Sequence, residues 1–499
     1  MRLKKELGFM GLFSVATGAM ISSGIFILPG LAFGKTGPSV FVAYLLAGIL
    51  AFFGILSIIE LSTAMPKAGG DYFFVTRSLG PLIGTIHGFL SWLALSFKTA
   101  FAIFGISKVC HLLLKENFSL DIHIYFFALL FVFIFVTLNI IGIKEAVRFQ
   151  IIMVVSLLLL MFFYFLFGVN SVKITRFEPF TNSGFIGLIA TSGFVFVSYG
   201  GLLKAASIAE EVKNPKKNIP RALITSIIVT TLLYCLLLIV AVGVVEPTVL
   251  TNSLTPIADT ARVFAGRWGY ILITIAAMLA FVTTANAGIL SASRFPLAMS
   301  KDNLIPSFIS YQTQKKQTPL ISIIITGAFL AVALLFDLEF MAKAGSTVIL
   351  LTYMLSNVSI IIIRASRLQN YKPTFQVPFF PFFQIFTIIA FILLIIDMGI
   401  EPILTSIVFI TMAMAVYSFY GRRKTKQEYA LLHVLERITN RELTDYNLET
   451  ELKEVVRERD ELKLDDFDRL IQKAVCMNID GHLSIDDFFS EIAKLLKNE

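Results

Sequence analysis

The chain is poor in charge, cysteine and histidine, and each scarcity narrows what the protein can be. Only 15% of its 499 residues are charged, whereas a soluble domain carries about 25%, so an ordinary soluble fold is excluded. Its three cysteines, Cys110, Cys235 and Cys476, stand far apart, and they predict neither a disulfide framework nor a metal site. The five histidines are scattered without ligand spacing, so no bound metal is expected.

The chain is instead rich in long apolar runs. Hydrophobic residues make up 56% of it, and its mean hydropathy is +0.80. Apolar runs of about 20 residues predict transmembrane helices. Twelve are predicted, at 9–33, 38–64, 82–109, 122–142, 149–169, 184–208, 222–245, 268–292, 319–336, 343–363, 382–399 and 402–420. The expected fold class is therefore an all-α membrane protein with twelve transmembrane helices.

The distribution of lysine and arginine predicts how the chain is oriented. These cations concentrate in alternate loops, and the positive-inside rule then places both termini in the cytoplasm of a multi-pass protein. The net charge of +8 follows from these loops, so lipid is an expected partner and nucleic acid is not. We expect the plasma membrane as the location.

Residues 421–499 form a different kind of sequence from residues 1–420. They are charge-rich, contain no span-length apolar run, and carry helical patterns at about 428–462 and 465–497. The chain therefore divides into a transmembrane domain, 1–420, and a small cytoplasmic helical domain, 421–499, for which a regulatory role is one interpretation.

The first apolar segment is interrupted at its centre by small residues, in the run Thr17–Gly24. Glycine lets the backbone leave helical geometry, and unwound backbone at membrane depth is tolerated only inside protein or beside a wet cavity. The free N–H groups and hydroxyls that open the second half could hold a substrate carboxylate. They belong to Ser22, Ser23 and Gly24.

The backbone carbonyls just before this break could accept hydrogen bonds from a substrate ammonium group. They belong to Ala19, Met20 and Ile21. One break could thus serve both ends of a zwitterion. The alternative is that the small residues form only a helix-packing patch.

A second interruption, Ser198–Gly201, lies in the sixth apolar segment. It could add carbonyls for the ammonium group at Val197, Ser198 and Gly200, or it could be a kink without a ligand. Two interrupted spans, five segments apart, are typical of transporters built from inverted repeats.

Several motifs together resemble the amino acid–polyamine–organocation transporter superfamily, and the resemblance covers residues 1–420. The motifs are Gly18–Pro29, Pro66–Tyr72, Glu210–Pro220, Ser293-Arg294 followed by Ala298-Met299 and Ile305-Pro306, and Val377-Pro378. The resemblance implies a five-plus-five inverted repeat of the leucine-transporter type. It also implies that the substrate is an amino acid or organic amine, carried by alternating access.

The sequence departs from the family pattern at two places. Relatives often carry an aromatic gate four positions before the second-half glycine of the sixth segment, and counting back from Gly201 gives Val197, with Phe196 beside it. Some proton-coupled relatives carry a lysine in the fifth segment, where this chain has Ser156 and Leu157. That coupling device is therefore not expected here.

Three polar residues are candidates for ion coupling instead. Lys98 lies near the middle of the third segment, and an intramembrane lysine is a functional hypothesis by default. It could exchange protons, or it could snorkel or pair with a carboxylate such as Glu60. Thr283 and Thr284 could offer oxygen ligands to sodium, or they could bond their own backbone.

The sequence therefore predicts a secondary active transporter of an amino acid or related amine, with proton or sodium as the coupling ion. Ion-coupled uptake is the first hypothesis. The alternatives are an amino acid exchanger and a transporter-like receptor that signals through residues 421–499. No catalytic triad, nucleotide loop or metal cluster is apparent in the sequence, so neither enzyme activity nor a cofactor is expected.

Overall fold

The protein is all-helical in the residues that the structure, a computed structural model, describes: 7–67, 69–118, 121–141, 147–313, 318–368, 370–425, 428–439 and 447–460. The α-helices, numbered in chain order, are α1 Phe9–Met20, α2 Ser23–Phe26, α3 Leu28–Thr36, α4 Val40–Ala64, α5 Asp71–Leu79, α6 Pro81–Phe118, α7 Ile124–Ile141, α8 Val147–Gly168, α9 Gly184–Phe194, α10 Gly201–Ser207, α11 Pro215–Val244, α12 Pro247–Asn252, α13 Pro256–Lys301, α14 Leu320–Ala333, α15 Leu338–Ser366, α16 Phe382–Asp397, α17 Ile400–Val416, α18 Arg422–Lys424, α19 Ala430–Thr439 and α20 Asn447–Asp460. In those ranges the one β-type pairing is an isolated bridge between Leu7 and Val212.

Helix α6 lies at the centre of the bundle. In its most apolar stretch 89% of the residues are buried, whereas the corresponding fraction is 28% in α7 and 11% in α17. Outer helices expose large apolar side chains, such as Phe133 and Phe167. Lipid tails can cover such side chains, while a helix satisfies its own backbone hydrogen bonds inside a bilayer.

The described residues contain nine helices that are long and apolar enough to span a membrane. Three further apolar helices are shorter: α1, α14 and α16. The second predicted span, 38–64, is joined to the end of the first in a single candidate, Leu28–Ala64. The prediction of a multi-pass, all-helical membrane fold is confirmed, and the count of twelve stays a prediction.

Three long segments are interrupted. The first changes direction at Ile21, whose ψ of 89° is not helical, and the sixth passes through a 3₁₀ turn at Val195–Tyr199. Helix α13 is kinked at Gly266, where φ is +63°, a value that glycine adopts at no steric cost. The first two interruptions coincide with the breaks that the sequence predicts.

We call one end of the bundle the basic end, because Arg77, Arg294 and Arg364 lie there. It is closed by contacts between distant parts of the chain. The backbone N–H of Leu7 donates to Glu211 O at 3.0 Å, and Lys213 N donates back to Leu7 O at 2.8 Å. Arg294, on α13, lies 3.3 Å from the Glu211 carboxylate. The start of α1 is thereby tied to the end of the sixth segment and to α13.

A buried carboxylate, Glu60, closes another part of the basic end. It is fully buried, and Arg364 donates to it from both Nε, at 2.7 Å, and Nη2. Tyr371 donates its hydroxyl at 3.0 Å, and the Val377 N–H donates at 2.6 Å. Burial, followed by the charge of Glu60, raises the pKa of Tyr371 well above its usual value, so this hydroxyl remains a donor. The cluster joins α4, α15 and the loop after α15.

Replacing Glu60 with glutamine is expected to destabilise the protein. The amide leaves the Arg364 guanidinium without a counter-charge, and breaking a buried ion pair costs about 3–5 kcal/mol. Thermal unfolding of the purified protein in detergent measures the effect, with Glu401→Gln as control because its side chain is 70% exposed and 3.9 Å from Lys343. Equal unfolding temperatures for the two variants would contradict the assigned role.

Helices α19 and α20 pack on the basic end. Arg77 of α5 binds Glu451 of α20 and Asp302, both at 3.0 Å. Burial opposes the charge of Arg77, but these two carboxylates outweigh it and raise its pKa. Asn370 donates to the Glu449 carbonyl at 3.0 Å. The first predicted helical pattern of the tail contains α19 and α20, and the second, 465–497, lies outside the described residues.

Candidate functional site

The first break frees backbone groups between α1 and α2. The α1 hydrogen-bond ladder ends with Ile21 N donating to Thr17 O, and it resumes with Ile25 N and Phe26 N donating to Ser22 O. The N–H groups between these points, those of Ser22, Ser23 and Gly24, open the second half of the segment. The carbonyls that the sequence predicts as acceptors thus lie before the bend, and the N–H groups that it predicts as donors lie after it.

Tyrosines brace this break from the neighbouring helices. Tyr234 of α11 donates to Met20 O at 2.8 Å, and Tyr44 of α4 donates to Gly24 O at 2.7 Å. Tyr199 donates to the Tyr44 carbonyl at 2.8 Å, and all three rings are buried. Since buried carbonyls need partners, these hydroxyls stabilise the unwound backbone. They also take up part of the acceptor capacity that the sequence assigns to a substrate ammonium at Met20.

Hydroxyl groups beside the break have no hydrogen-bond partner within the described part of the chain. They are Ser22 Oγ, Thr17 Oγ1 and Ser14 Oγ, and their side chains are fully buried. Most buried polar groups are paired, so Ser22 Oγ is available to a ligand at the break. The side chain of Ser23 lies outside the described residues, although its backbone begins α2.

The second break is held open by α15. Ser346 accepts the Val197 N–H at 2.9 Å, and its hydroxyl donates to Phe194 O at 2.9 Å. Gly200 N donates to Val197 O at 3.1 Å. A serine hydroxyl therefore replaces the helical partner of Val197, which keeps the turn in place.

The two breaks touch each other. A Cβ atom on Gly201 would lie 2.5 Å from Ala19 C and Met20 N, and one on Gly24 would lie 2.5 Å from Ser198 Oγ. The Ser198 hydroxyl also donates to Gly24 O at 3.3 Å. The structure thus brings the predicted residues of both segments into one place, with glycine at the points of closest approach.

Lys98 extends from α6 onto the second break. Its Nζ donates to Val197 O at 3.2 Å and to Ser198 O at 3.3 Å. The side chain is 5% exposed, and the Glu60 suggested as its partner binds Arg364 instead. Lys204 of α10 is its charged neighbour. An ammonium group thus already occupies two carbonyls that the sequence assigns to a substrate ammonium.

Phe196 is the aromatic residue beside the expected gate position. Phe196 points into a ring cluster with Tyr199, Tyr353 and Phe391, at centroid distances of 6.5, 5.9 and 5.4 Å. Phe26 of α2 instead packs edge-on against Phe281 of α13 at 5.8 Å. This pair lines a narrow cavity between the first break and the end opposite the basic end. Sequence reasoning missed Phe281, since one phenylalanine among 48 carries no signal.

Thr283 and Thr284 of α13 differ in whether their hydroxyls have a hydrogen-bond partner. Thr283 donates to the Ala280 carbonyl of its own helix at 3.0 Å, which matches the self-bonding alternative. Thr284 is buried, and its hydroxyl has no partner among the residues described. Only Thr284 therefore offers an unused oxygen to an ion.

A family model described as amino acid permease matches residues 7–420. The chain is 27% identical to the branched-chain amino acid permease BcaP of Bacillus subtilis over 443 residues, covering 85% of this chain and 94% of that protein. It is 30% identical to the mitochondrial cationic amino acid transporter 3 of Arabidopsis thaliana, covering 73% and 63% respectively.

The chain is also similar to a further transporter and to a solved transporter structure. The chain is 24% identical to the methylthioribose transporter of Bacillus subtilis over 84% of its length and 94% of that protein. Among solved structures, a manganese transporter variant of Eremococcus coleocola matches with a TM-score of 0.55 at 13% identity, over 82% of this chain and 93% of that chain. The structural likeness concerns the fold alone.

Proposed function

Because this chain belongs to the amino acid permease family of the amino acid–polyamine–organocation superfamily, we propose that it carries an amino acid or related amine by alternating access. The contact between the two breaks is the observation that supports this proposal most. It places unwound backbone from two segments, a free buried hydroxyl and an ammonium group together beside the central helix α6.

In this proposal the first break binds the substrate carboxylate. The N–H groups of Ser22, Ser23 and Gly24, with Ser22 Oγ, are the donors, because the start of a helical segment favours negative charge. The ammonium group would be received by carbonyls from both breaks. These belong to Ala19, Met20, Ile21, Val197, Ser198 and Gly200.

Lys98 is the proposed coupling residue. Two ammonium groups on the carbonyls of Val197 and Ser198 would repel each other strongly in a low-dielectric interior. The substrate ammonium can therefore replace Lys98 only when the lysine loses its proton or turns away. Substrate binding therefore favours loss of the proton from Lys98. By the same linkage, loss of that proton favours substrate binding.

We further propose twelve spans in a five-plus-five inverted repeat, with the basic end and both termini in the cytoplasm of a plasma-membrane protein. The short apolar helices α1, α14 and α16 support the count. Each completes or supplies one predicted span. The lysine and arginine distribution supports the orientation.

Proteoliposome uptake of a labelled amino-acid mixture tests this function. Accumulation under an inward proton gradient supports proton-coupled uptake, whereas accumulation under a sodium gradient favours an ion site that includes Thr284. Flux seen only into liposomes preloaded with amino acids identifies an exchanger. Binding without flux under any condition identifies a receptor and contradicts the proposal.

We propose that residues 421–499 regulate the transporter through the Arg77–Glu451 contact. The Glu451 side chain is 38% exposed, and such an ion pair contributes at most about 1 kcal/mol. Glu451→Gln should therefore keep uptake and raise its rate by up to about fivefold. A chain ending at Lys424, which loses the other contacts of α19 and α20 as well, should keep uptake and raise its rate at least as much.

The control for this prediction is Glu454→Gln, an exposed position of α20 that should leave the rate unchanged. Initial uptake rates in proteoliposomes compare the three variants with the full chain. A shortened chain that transports at the full-length rate would contradict the regulatory role, and one without any uptake would point to the receptor alternative.

A further inference from the structure

A buried carboxylate and imidazole meet between α5 and α6, away from the two breaks. His87 Nε2 lies 3.0 Å from Asp71 Oδ2, and both side chains are fully buried. Ser91 donates to the same oxygen at 3.0 Å, and Tyr72 N donates to Oδ1 at 3.1 Å. Asp71 is therefore held in place beside the imidazole by two donors.

The imidazole of His87 has unused hydrogen-bonding capacity. Its Nδ1 has no partner among the residues that the structure describes, and Nε2 approaches Asp71 at an angle too bent for a regular hydrogen bond. A buried histidine usually satisfies at least one nitrogen. Beside a carboxylate that offsets positive charge, such a ring can gain and lose a proton.

The position of the pair connects it to the proposed substrate site. His87, Ser91 and Lys98 recur on one face of α6, and the eleven residues from His87 to Lys98 rise about 16 Å along the helix. Tyr353 of α15 lies near both regions. Its hydroxyl has no partner in the described ranges, it interacts electrostatically with Asp71, and its ring contacts Phe196 of the second break at 5.9 Å.

Other described residues of α5 and α13 near the pair have contacts of their own. From α5, Tyr72 donates its hydroxyl to Asp302, and Arg77 binds the same carboxylate. From α13, the side chain of Met299 packs against Gly88, the residue after His87. Tyr353 is thus a neighbour of the pair whose hydroxyl has no partner among the described residues, and its ring contacts the second break.

We propose that the Asp71–His87 pair is a proton-binding site that receives the proton lost by Lys98. When a substrate ammonium displaces Lys98, the Nζ–H bond breaks and an N–H bond forms on His87, with the Tyr353 hydroxyl and intervening water as the carriers. The imidazole later releases this proton to water at the basic end, and Lys98 takes up its next proton from water at the opposite end before the next substrate binds. Substrate and proton then cross in the same direction, which makes the cycle a symport. The direction of transfer rests on the proposed function, whereas the proton site itself does not.

Nitrogen NMR of the full chain in lipid nanodiscs tests the proton site directly. With ¹⁵N-histidine, the His87 signals should show both the neutral and the protonated ring over a pH series. They are assigned by their loss in His87→Gln or, if that variant does not fold, by replacing His111, His123, His433 and His482. In Asp71→Asn the ring should stay neutral over the same series, since a buried imidazolium then lacks its counter-charge. A wild-type ring with one fixed protonation state throughout overturns the proposal.

Transport then tests the transfer from Lys98. His87→Gln should reduce proton-driven accumulation of a labelled amino-acid mixture to the level without a gradient, yet keep exchange of the same mixture. His111→Gln, near the opposite end of α6, is the control. Unchanged proton-driven accumulation in His87→Gln overturns the transfer. If wild type shows no amino-acid flux, the proposed function has failed, and the NMR titration still decides the proton site.

Discussion

Replacing Lys98 with alanine is expected to abolish accumulation driven by a proton gradient and to flatten the pH dependence of uptake. The lysine is the ammonium group on Val197 O and Ser198 O. Without this group, substrate binding is no longer linked to a proton, so accumulation should fall to the level seen without a gradient. Exchange should persist, because the carbonyls remain free for the substrate.

The measurement is uptake into proteoliposomes, with and without a gradient, between about pH 5.5 and about pH 8.5. Lys115→Ala is the matched control, since this lysine is on the same helix, 55% exposed, and paired with Asp121 at 3.1 Å. A Lys98→Ala protein with the pH dependence of the wild type would eliminate Lys98 as the coupling residue.

Replacing Gly201 with alanine is expected to eliminate uptake under every gradient and to stop exchange as well. The new Cβ would lie 2.5 Å from Ala19 C and Met20 N, both of them backbone atoms, so no side chain can move aside. The two breaks must separate, which displaces donors and acceptors together. Overpacking of this kind typically costs about 1–3 kcal/mol, so a lower unfolding temperature should accompany the loss.

Gly8→Ala is the control for this substitution. Gly8 precedes α1 at a φ of −81°, and a Cβ atom added there would have no other heavy atom within 4 Å beyond its immediate chain neighbours. Purified protein in detergent gives the unfolding temperature, and proteoliposomes give the flux. A Gly201→Ala protein that binds and transports like the wild type would show that the breaks need not touch.

The positions of both breaks could be predicted from sequence, since small residues at the centre of an apolar run have few structural explanations. Thr17–Gly24 and Ser198–Gly201 carry that signal at the right depth, and the backbone leaves α-helical geometry within both segments. The family motifs added the substrate class. Both predictions depend only on residues that are neighbours in the sequence.

The partners of the site residues could not be predicted, because they come from distant helices. Tyr44, Tyr234 and Ser346 bond the breaks from three helices, and their sequence surroundings resemble those of other polar residues in spans. A tyrosine at membrane depth does indicate that its hydroxyl has a hydrogen-bond partner, but the sequence does not identify that partner. Likewise, Lys98 stood out, but nothing in the sequence favoured Val197 O over Glu60 as its acceptor.

The contact between Asp71 and His87 could not be predicted from the sequence either. Asp71 belongs to a loop motif that marks the family, and His87 is one of five scattered histidines. Sequence spacing places them sixteen positions apart in different helices. Their contact depends on how α5 folds back on α6, a tertiary feature that periodicity does not contain.

Competition by substrate analogues tests whether the two breaks bind the two ends of one zwitterion. Binding of the best transported labelled amino acid to purified protein is challenged with that amino acid, its decarboxylated amine and its deaminated acid. Each truncated analogue should compete about 10- to 100-fold more weakly, since each loses charge-assisted hydrogen bonds at one break. An amine or an acid that competes as well as the amino acid would show that the two breaks do not bind the two ends of one zwitterion.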